Sequence, residues 1–227
     1  AQTKAALNNV IQTVSNNFDY RILSAPMFGT NGLPATGNAG VFLVANDPSS
    51  LSSYALSLLV PADQAGNRLN TFSNVGGGDE KGMERAVELL NLNSSNGIFR
   101  PNAYHIIVLM SNGNDAKILS NGYPDPVATA NHISTQKTNL INLKNNVLNS
   151  QQMRFMSIVA HSACQAGYKQ GSSYMTLSNL ILTEGGATSM EQAGRPYPDS
   201  YDICTSDFTN LFAGINSSIT EQLVQHK

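Results

Sequence analysis

The chain has 227 residues, enough for one large domain or at most two small ones. Hydrophobic residues make up 41% of it, which argues against wholesale disorder, and the net charge of -2 with no basic block argues against nucleic-acid binding. No apolar run approaches the roughly 20 residues that a membrane span needs. Charged residues are only 12%, so the surface is polar but charge-poor, and we expect an extracytoplasmic location: periplasm, cell surface or secreted.

The first third of the sequence predicts a helix, two strands and a short helix. Apolar residues at helical spacing indicate an amphipathic helix over about residues 2–16. The segments DYRILSAP (19–26) and GVFLVAND (40–47) are apolar runs next to turn residues, which is typical of strands. SSLSSYALSLL (49–59) is consistent with a short helix that begins at a serine cap.

The rest of the sequence alternates apolar strands with capped helices. His105–Met110 is expected to be a central strand buried on both faces, and a helix is expected from Ser134, with Leu140, Ile141, Leu143, Val147 and Leu148 as its buried stripe. RFMSIVAHSAC (154–164) indicates another buried strand, followed by a long polar connection and a closing helix capped by Ser206. We therefore predict one α/β domain over 1–227, with three α/β/α layers and a mostly parallel sheet.

Ligands of such sheets bind beyond the carboxyl ends of the strands. The loops at residues 25–32, 73–80, 111–115 and 161–167 are therefore the candidate site.

The two cysteines, Cys164 and Cys204, indicate a disulfide in an oxidising compartment and two free thiols in the cytosol. The polar, charge-poor surface favours the disulfide. The bridge would close a long loop, which contributes roughly 4 kcal/mol in the chain-entropy model.

The stretch SNVGGGDEKGMERAVELL (73–90) joins a glycine run to a helix. A phosphate-binding P-loop needs Lys followed by Ser or Thr, whereas Lys81 is followed by glycine, and no strong strand leads into the glycines as a dinucleotide site requires. GGGDE is similar to the diguanylate cyclase motif, but Lys81 stands where that motif has an aromatic residue. A purely structural interpretation is that Asp79 or Glu80 caps the helix that follows.

Four segments together resemble a von Willebrand factor type A-like domain of the bacterial extracytoplasmic kind. They are the opening QTKAALNNVIQTV, the loop and helix GGGDEKGMERAVELL, the strand and turn HIIVLMSNGND, and the terminal YDICTSDFTNLFAGI. The resemblance implies a non-enzymatic module for recognition or adhesion. It binds a protein partner at the top of the sheet, in this family through a divalent cation that holds an acidic group of the partner.

The sequence departs from the family pattern at the cation site. It has no Asp-x-Ser-x-Ser, and Asn112 stands where the central strand of the family has aspartate. The oxygen donors that remain for Mg²⁺ or Ca²⁺ are Ser73, Asp79, Asn112 and Asp115. The first strand of the family is also absent, because residue 1 already lies in the first helix. We expect that this strand was cut away or that another chain donates it by β-augmentation.

Two other functions stay open. The first is a structural subunit of a fibre or coat, completed by a donated strand. The second is a hydrolase in which His161 or His105 activates Ser162 or Cys164, although strand-end histidines are more often structural. Neither Gly-x-Ser-x-Gly nor His-Glu-x-x-His occurs.

Overall fold

The computed structural model describes residues 18–25, 42–61, 64, 80–164, 167–184, 195–205 and 208–224. Its strands are β1 (Arg21–Ser24), β2 (Phe42–Ala45), β3 (Tyr104–Met110), β4 (Gln152–Val159) and β5 (Ser200–Asp202). Its helices are α1 (Ser53–Ser57), α2 (Gly82–Asn93), α3 (Pro126–Asn142), α4 (Ser172–Glu184) and α5 (Phe208–Val224). The predicted helix over 2–16, the caps Ser206 and Asp79, and the glycines of the glycine run lie outside the described residues.

Contacts divide the chain into two compact units, and β1, β2 and α1 belong to the smaller one. β1 and β2 pair antiparallel with each other in a two-stranded sheet, and they are not hydrogen-bonded to the parallel sheet described below. The predicted serine cap is confirmed, since the hydroxyl of Ser52 accepts a hydrogen bond from the amide of Ala55. The core of this unit is built from Leu43, Leu51, Ala55 and Ile98.

The larger unit holds a three-stranded parallel sheet in the order β3-β4-β5. α3 connects β3 to β4, and α4 connects β4 to β5, so the sheet is made of two βαβ units. The predicted α/β class with a parallel sheet flanked by helices is therefore confirmed. The predicted single domain stays a prediction.

β4 is the central strand of this sheet, and all eight of its residues are buried. The sequence predicted that β3 is a central strand buried on both faces, whereas among the described strands it lies at the edge of the sheet. In the described part of the chain β3 pairs with β4 alone, and Val108 is 47% exposed. A continuous apolar run therefore does not distinguish a central strand from an edge strand.

α3 begins eight residues earlier than predicted. The carboxylate of Asp125 caps the helix on the amide of Ala128, and Pro126 occupies the first turn, so Ser134 lies in mid-helix. A π-helical turn at Leu143–Val147 follows the helix and changes the direction of the side chains after it. Val147, which was predicted to belong to the buried face, is therefore 50% exposed. Leu140, Leu143 and Leu148 are buried as predicted.

The predicted polar connection after β4 contains two elements that the sequence analysis missed. α4 packs against β4, and its Tyr174, Leu177 and Ile181 are buried. β5 follows with only three residues. No helix among the described residues is long and apolar enough to cross a membrane.

Candidate functional site

The carboxyl ends of β3, β4 and β5 meet at one edge of the parallel sheet, called here the carboxyl edge. Its loops are 111–125 after β3, 160–171 after β4, of which residues 165 and 166 are not described, and 203–205 after β5. The amide of Lys169 donates to the carbonyl of Asn112 at 3.0 Å, which connects the first two loops. Two of the four loops named in the sequence analysis, 111–115 and the described part of 161–167, follow paired neighbouring strands at this edge.

A disulfide connects the second and third loops, because Cys164 and Cys204 are bonded with their Cα atoms 6.0 Å apart. The carboxylate of Asp202 supports this junction by accepting from the amides of His161 at 3.3 Å and of Cys204 at 3.0 Å. The predicted disulfide is confirmed. It and these hydrogen bonds restrain the loops that follow β4 and β5.

Glu80 reaches the end of β3 and does not cap α2. Its carboxylate accepts from the hydroxyl of Ser111 at 2.7 Å and from the hydroxyl of Tyr174 at 3.3 Å. The same Tyr174 oxygen accepts from the amide of Gly82 at 3.2 Å, so it satisfies one free donor of the helix end. A Cβ atom on Gly113 would lie 2.5 Å from the Glu80 carboxylate, which explains the glycine here.

Asp115 supplies the carboxylate that caps α2. One of its oxygens accepts from the amide of Met83 at 3.2 Å, and the other lies 3.1 Å from Nε2 of His132 on α3. Burial raises the pKa of Asp115, and its hydrogen bond to Met83 and the neighbouring His132 oppose that rise. The prediction that Asp79 or Glu80 caps the helix is therefore wrong for Glu80. The capping carboxylate is that of Asp115, which lies 32 residues further along the chain than Met83.

The four predicted cation ligands do not come together in the described part of the chain. Ser73 and Asp79 lie outside it, and the two carboxylate oxygens of Asp115 are engaged by Met83 and His132. Asn112 is exposed at the edge. The described residues contain no group of three or more His, Cys, Asp or Glu side chains arranged for a metal ion. These residues alone do not fit Mg²⁺ or Ca²⁺, so the cation stays a prediction that depends on Ser73 and Asp79.

His161 is half-buried, with Nε2 3.0 Å from the hydroxyl of Ser200 and its ring edge-on to Tyr197, 4.7 Å between centroids. Burial lowers its pKa, and Arg195 adds to this while Asp202 opposes it. Ser200 is fully buried and bonded to Ser157, so its hydroxyl cannot reach a substrate. Cys164 is held in the disulfide and is no free thiol.

His105 lies at the opposite end of the sheet, at the start of β3. It is 8% exposed and hydrogen-bonded to the hydroxyl of Ser150. Burial lowers its pKa to about 4, and the nearby Arg100 adds to the shift. The ring is therefore neutral at pH 7, as expected for a structural histidine.

At the carboxyl edge the acidic side chains are hydrogen-bonded within the protein, whereas neutral and cationic side chains are exposed to solvent. Glu80, Asp115 and Asp202 each accept hydrogen bonds from the protein itself. Asn112 and Lys169 are exposed, and the Lys169 ammonium has no hydrogen bond or ion pair within the described residues. The sequence analysis missed Lys169 because it lies two residues past the predicted loop, and Tyr174 because its helix was not predicted.

Comparisons of the chain with protein-family models, with curated protein sequences and with solved structures find no match.

Proposed function

We propose that the chain is a non-enzymatic, extracytoplasmic recognition or adhesion module that binds a protein partner at the carboxyl edge. In this proposal the parallel sheet is part of a three-layer α/β/α domain of von Willebrand factor A type.

The observation that carries the proposal is the restrained carboxyl edge. Its three loops are connected by the Cys164–Cys204 disulfide and by the hydrogen bond from Lys169 to Asn112. A surface held in one conformation loses little entropy on binding, which favours recognition over a mobile loop. The disulfide also supports the oxidising, extracytoplasmic location.

The exposed chemistry of the edge indicates what the partner offers. The Lys169 ammonium, which has no partner among the described residues, and the neutral side-chain amide of the exposed Asn112 complement a carboxylate. We therefore expect an acidic group of the partner at this point. Lys169 holds it directly, unless Ser73 and Asp79 complete a cation site that does so.

Capture of extracytoplasmic proteins on the immobilised chain tests the proposal, with Lys169→Glu as the edge variant. The matched control is Lys144→Glu, a charge reversal in the π-helical turn that precedes the amino end of β4. We expect a partner that the wild-type chain and Lys144→Glu retain and Lys169→Glu loses. A chelator leaves capture unchanged if Lys169 acts alone and abolishes it if a cation is needed. No captured protein, or equal capture by both variants, contradicts the proposal.

The hydrolase alternative has a direct test in His161→Ala. If the wild-type chain turns over ester or peptide substrates and this variant does not, the module is an enzyme. We expect no turnover, because the one hydroxyl bonded to the His161 ring among the described residues, that of Ser200, is buried.

One observation favours the structural-subunit alternative. β3 carries no strand on its outer side within the described part of the chain, and Val108 is 47% exposed. An uncharged strand edge of this kind accepts a donated strand. Electron microscopy of concentrated protein tests this alternative: fibres that Val108→Lys abolishes support it, and a uniformly dispersed protein rules it out.

A further inference from the structure

The strongest exposed apolar surface of the larger unit lies in the loop between β3 and α3. A small hairpin forms there: Ile118 pairs with Pro124, and the amide of Leu119 donates to the carbonyl of Tyr123 at 2.8 Å. Gly122 forms the turn with φ of +84°, and a Cβ atom there would meet nothing within 4 Å. The hairpin is therefore ordered by its own hydrogen bonds, and its tip projects into solvent.

The side chains of this hairpin and of the adjoining helix end are apolar. Ile118 is 59% exposed, Leu119 43%, Tyr123 69% and Val127 71%. At these fractions the four present about 500 Å² together, as much as the largest apolar patches of monomeric proteins, which are often functional. We call residues 118–127 the apolar knob.

An open groove of about 700 Å³ begins where the knob ends, because Pro124 and Pro126 belong to its wall. The groove runs between α3 and α4, and Ile133 and Leu180 line it together with polar groups. Two of these polar groups are occupied by the protein itself: Asn114 bonds Ser172 and Ser173. Its free surface is thus mainly apolar, like that of the knob.

The charges around the knob and groove are neutralised within the chain. Lys117 pairs with Glu84 at 3.2 Å, and Lys137, which lines the groove, pairs with Glu184 at 2.8 Å. The carboxylate of Asp125 caps α3. An occupant of this surface therefore needs to be apolar and to bring no compensating charge, and a second copy of the same surface meets both conditions.

We propose that the knob of one copy docks into the groove of a second copy, so that the chain forms a two-fold symmetric dimer. A two-fold interface must present both complementary halves on one surface, and here they are neighbours. If all of this surface becomes buried, the knobs of two copies contribute about 1,000 Å², the lower bound for a specific interface, and the groove walls add to it. Most of the knob belongs to the 111–125 loop of the carboxyl edge, but neither the knob nor the groove includes Asn112 or Lys169. The dimer therefore goes beyond the proposed function, and its test does not depend on a captured partner.

Sedimentation equilibrium of the full chain tests the dimer. We expect a mass that rises with concentration from 24.2 kDa to twice that value. Tyr123→Ser removes the largest knob side chain and is expected to weaken dimerisation at least tenfold. Val147→Ser is the control, because Val147 is an apolar residue that is 50% exposed outside the knob. A mass of 24.2 kDa at all concentrations, or equal effects of both substitutions, overturns the proposal.

A mixing experiment distinguishes the dimer from non-specific association. Ala130 is exposed and lines the groove, so Ala130→Phe blocks the groove without disturbing the core. Tyr123→Ser keeps its groove and Ala130→Phe keeps its knob, so a mixture forms one intact knob–groove contact that neither variant forms alone. We expect dimer to reappear on mixing, whereas its absence contradicts the docking geometry.

Discussion

The two ends of the parallel sheet contain similar residue types in different environments. At the amino end, His105 is buried and the carboxylate of Asp199 receives the guanidinium of buried Arg154, with Nε to Oδ2 at 2.9 Å. At the carboxyl end, His161 is half-buried, and the loops carry the exposed Asn112 and Lys169. The amino end therefore uses its polar groups for stability. The carboxyl end uses its acids for stability and leaves other groups free for contact.

The largest effect on stability is expected from Arg154→Met at the amino end. The substitution removes the guanidinium that pairs with the buried carboxylate of Asp199, which costs about 3–5 kcal/mol of unfolding free energy. Denaturant unfolding measures this loss. The double variant Arg154→Met/Asp199→Leu is expected to recover most of it, because no buried charge remains. A loss below about 1 kcal/mol for the single variant would show that the pair is not buried in solution.

The carboxyl end is expected to depend next on its disulfide. Cys164→Ser opens a loop with a sequence separation of 40 and is expected to cost about 2–4 kcal/mol of unfolding free energy. Hydrogen exchange should accelerate in residues 160–164 and 203–205, while β3 and β4 exchange as in the wild type. If hydrogen exchange accelerated equally in all strands of the sheet, the disulfide would stabilise the whole larger unit and not only the carboxyl edge.

His105 is expected to contribute most among the histidines to the pH dependence of stability, and the lowered pKa of His161 acts in the same direction. The folded pKa of His105, about 4, lies below the ordinary value of 6.5, so the folded state disfavours the proton. The stability that this provides is complete above pH 6.5 and is lost as the pH falls to about 4, by about 3 kcal/mol. The pKa of Asp115 is raised, so its ionisation lowers the free energy of unfolding as the pH rises, which is opposite in sign to the effect of His105.

Unfolding of His105→Gln between pH 4 and pH 7 isolates this contribution. We expect a flatter pH dependence than that of the wild-type chain, whatever the variant's stability at pH 7. If the unfolding free energy of both proteins changed equally with pH, groups other than His105 would cause the pH dependence.

The smallest expected effect is that of Tyr174→Phe at the carboxyl end. It removes the hydroxyl that accepts from Gly82 and donates to Glu80, which costs about 1–2 kcal/mol. Thermal or denaturant unfolding measures it, with Tyr54→Phe on α1 as the control that leaves the edge intact. An unchanged stability would indicate that water replaces the Tyr174 hydroxyl.

Sequence patterns predicted the elements whose signal is local. The apolar runs of β3 and β4 and the Ser52 cap are examples. The start of α3 was missed although Asp125-Pro126 is itself a helix-start signal. β5 is too short for any periodicity to be recognised.

The contacts of the candidate site could not be predicted, because they join distant parts of the chain. Glu80 meets Ser111 across 31 residues and Tyr174 across 94. Which strand is central likewise depends on pairing and not on the strand's own residues. Local patterns thus located the edge but did not show which of its acids face inward.

Partner binding at the carboxyl edge is tested most directly by hydrogen exchange of the chain with its captured partner. We predict slower exchange in residues 111–115 and 167–171, which include Asn112 and Lys169, and unchanged exchange in the turn at 143–151 at the amino end. Slower exchange at 143–151 with none at the carboxyl edge would contradict the account.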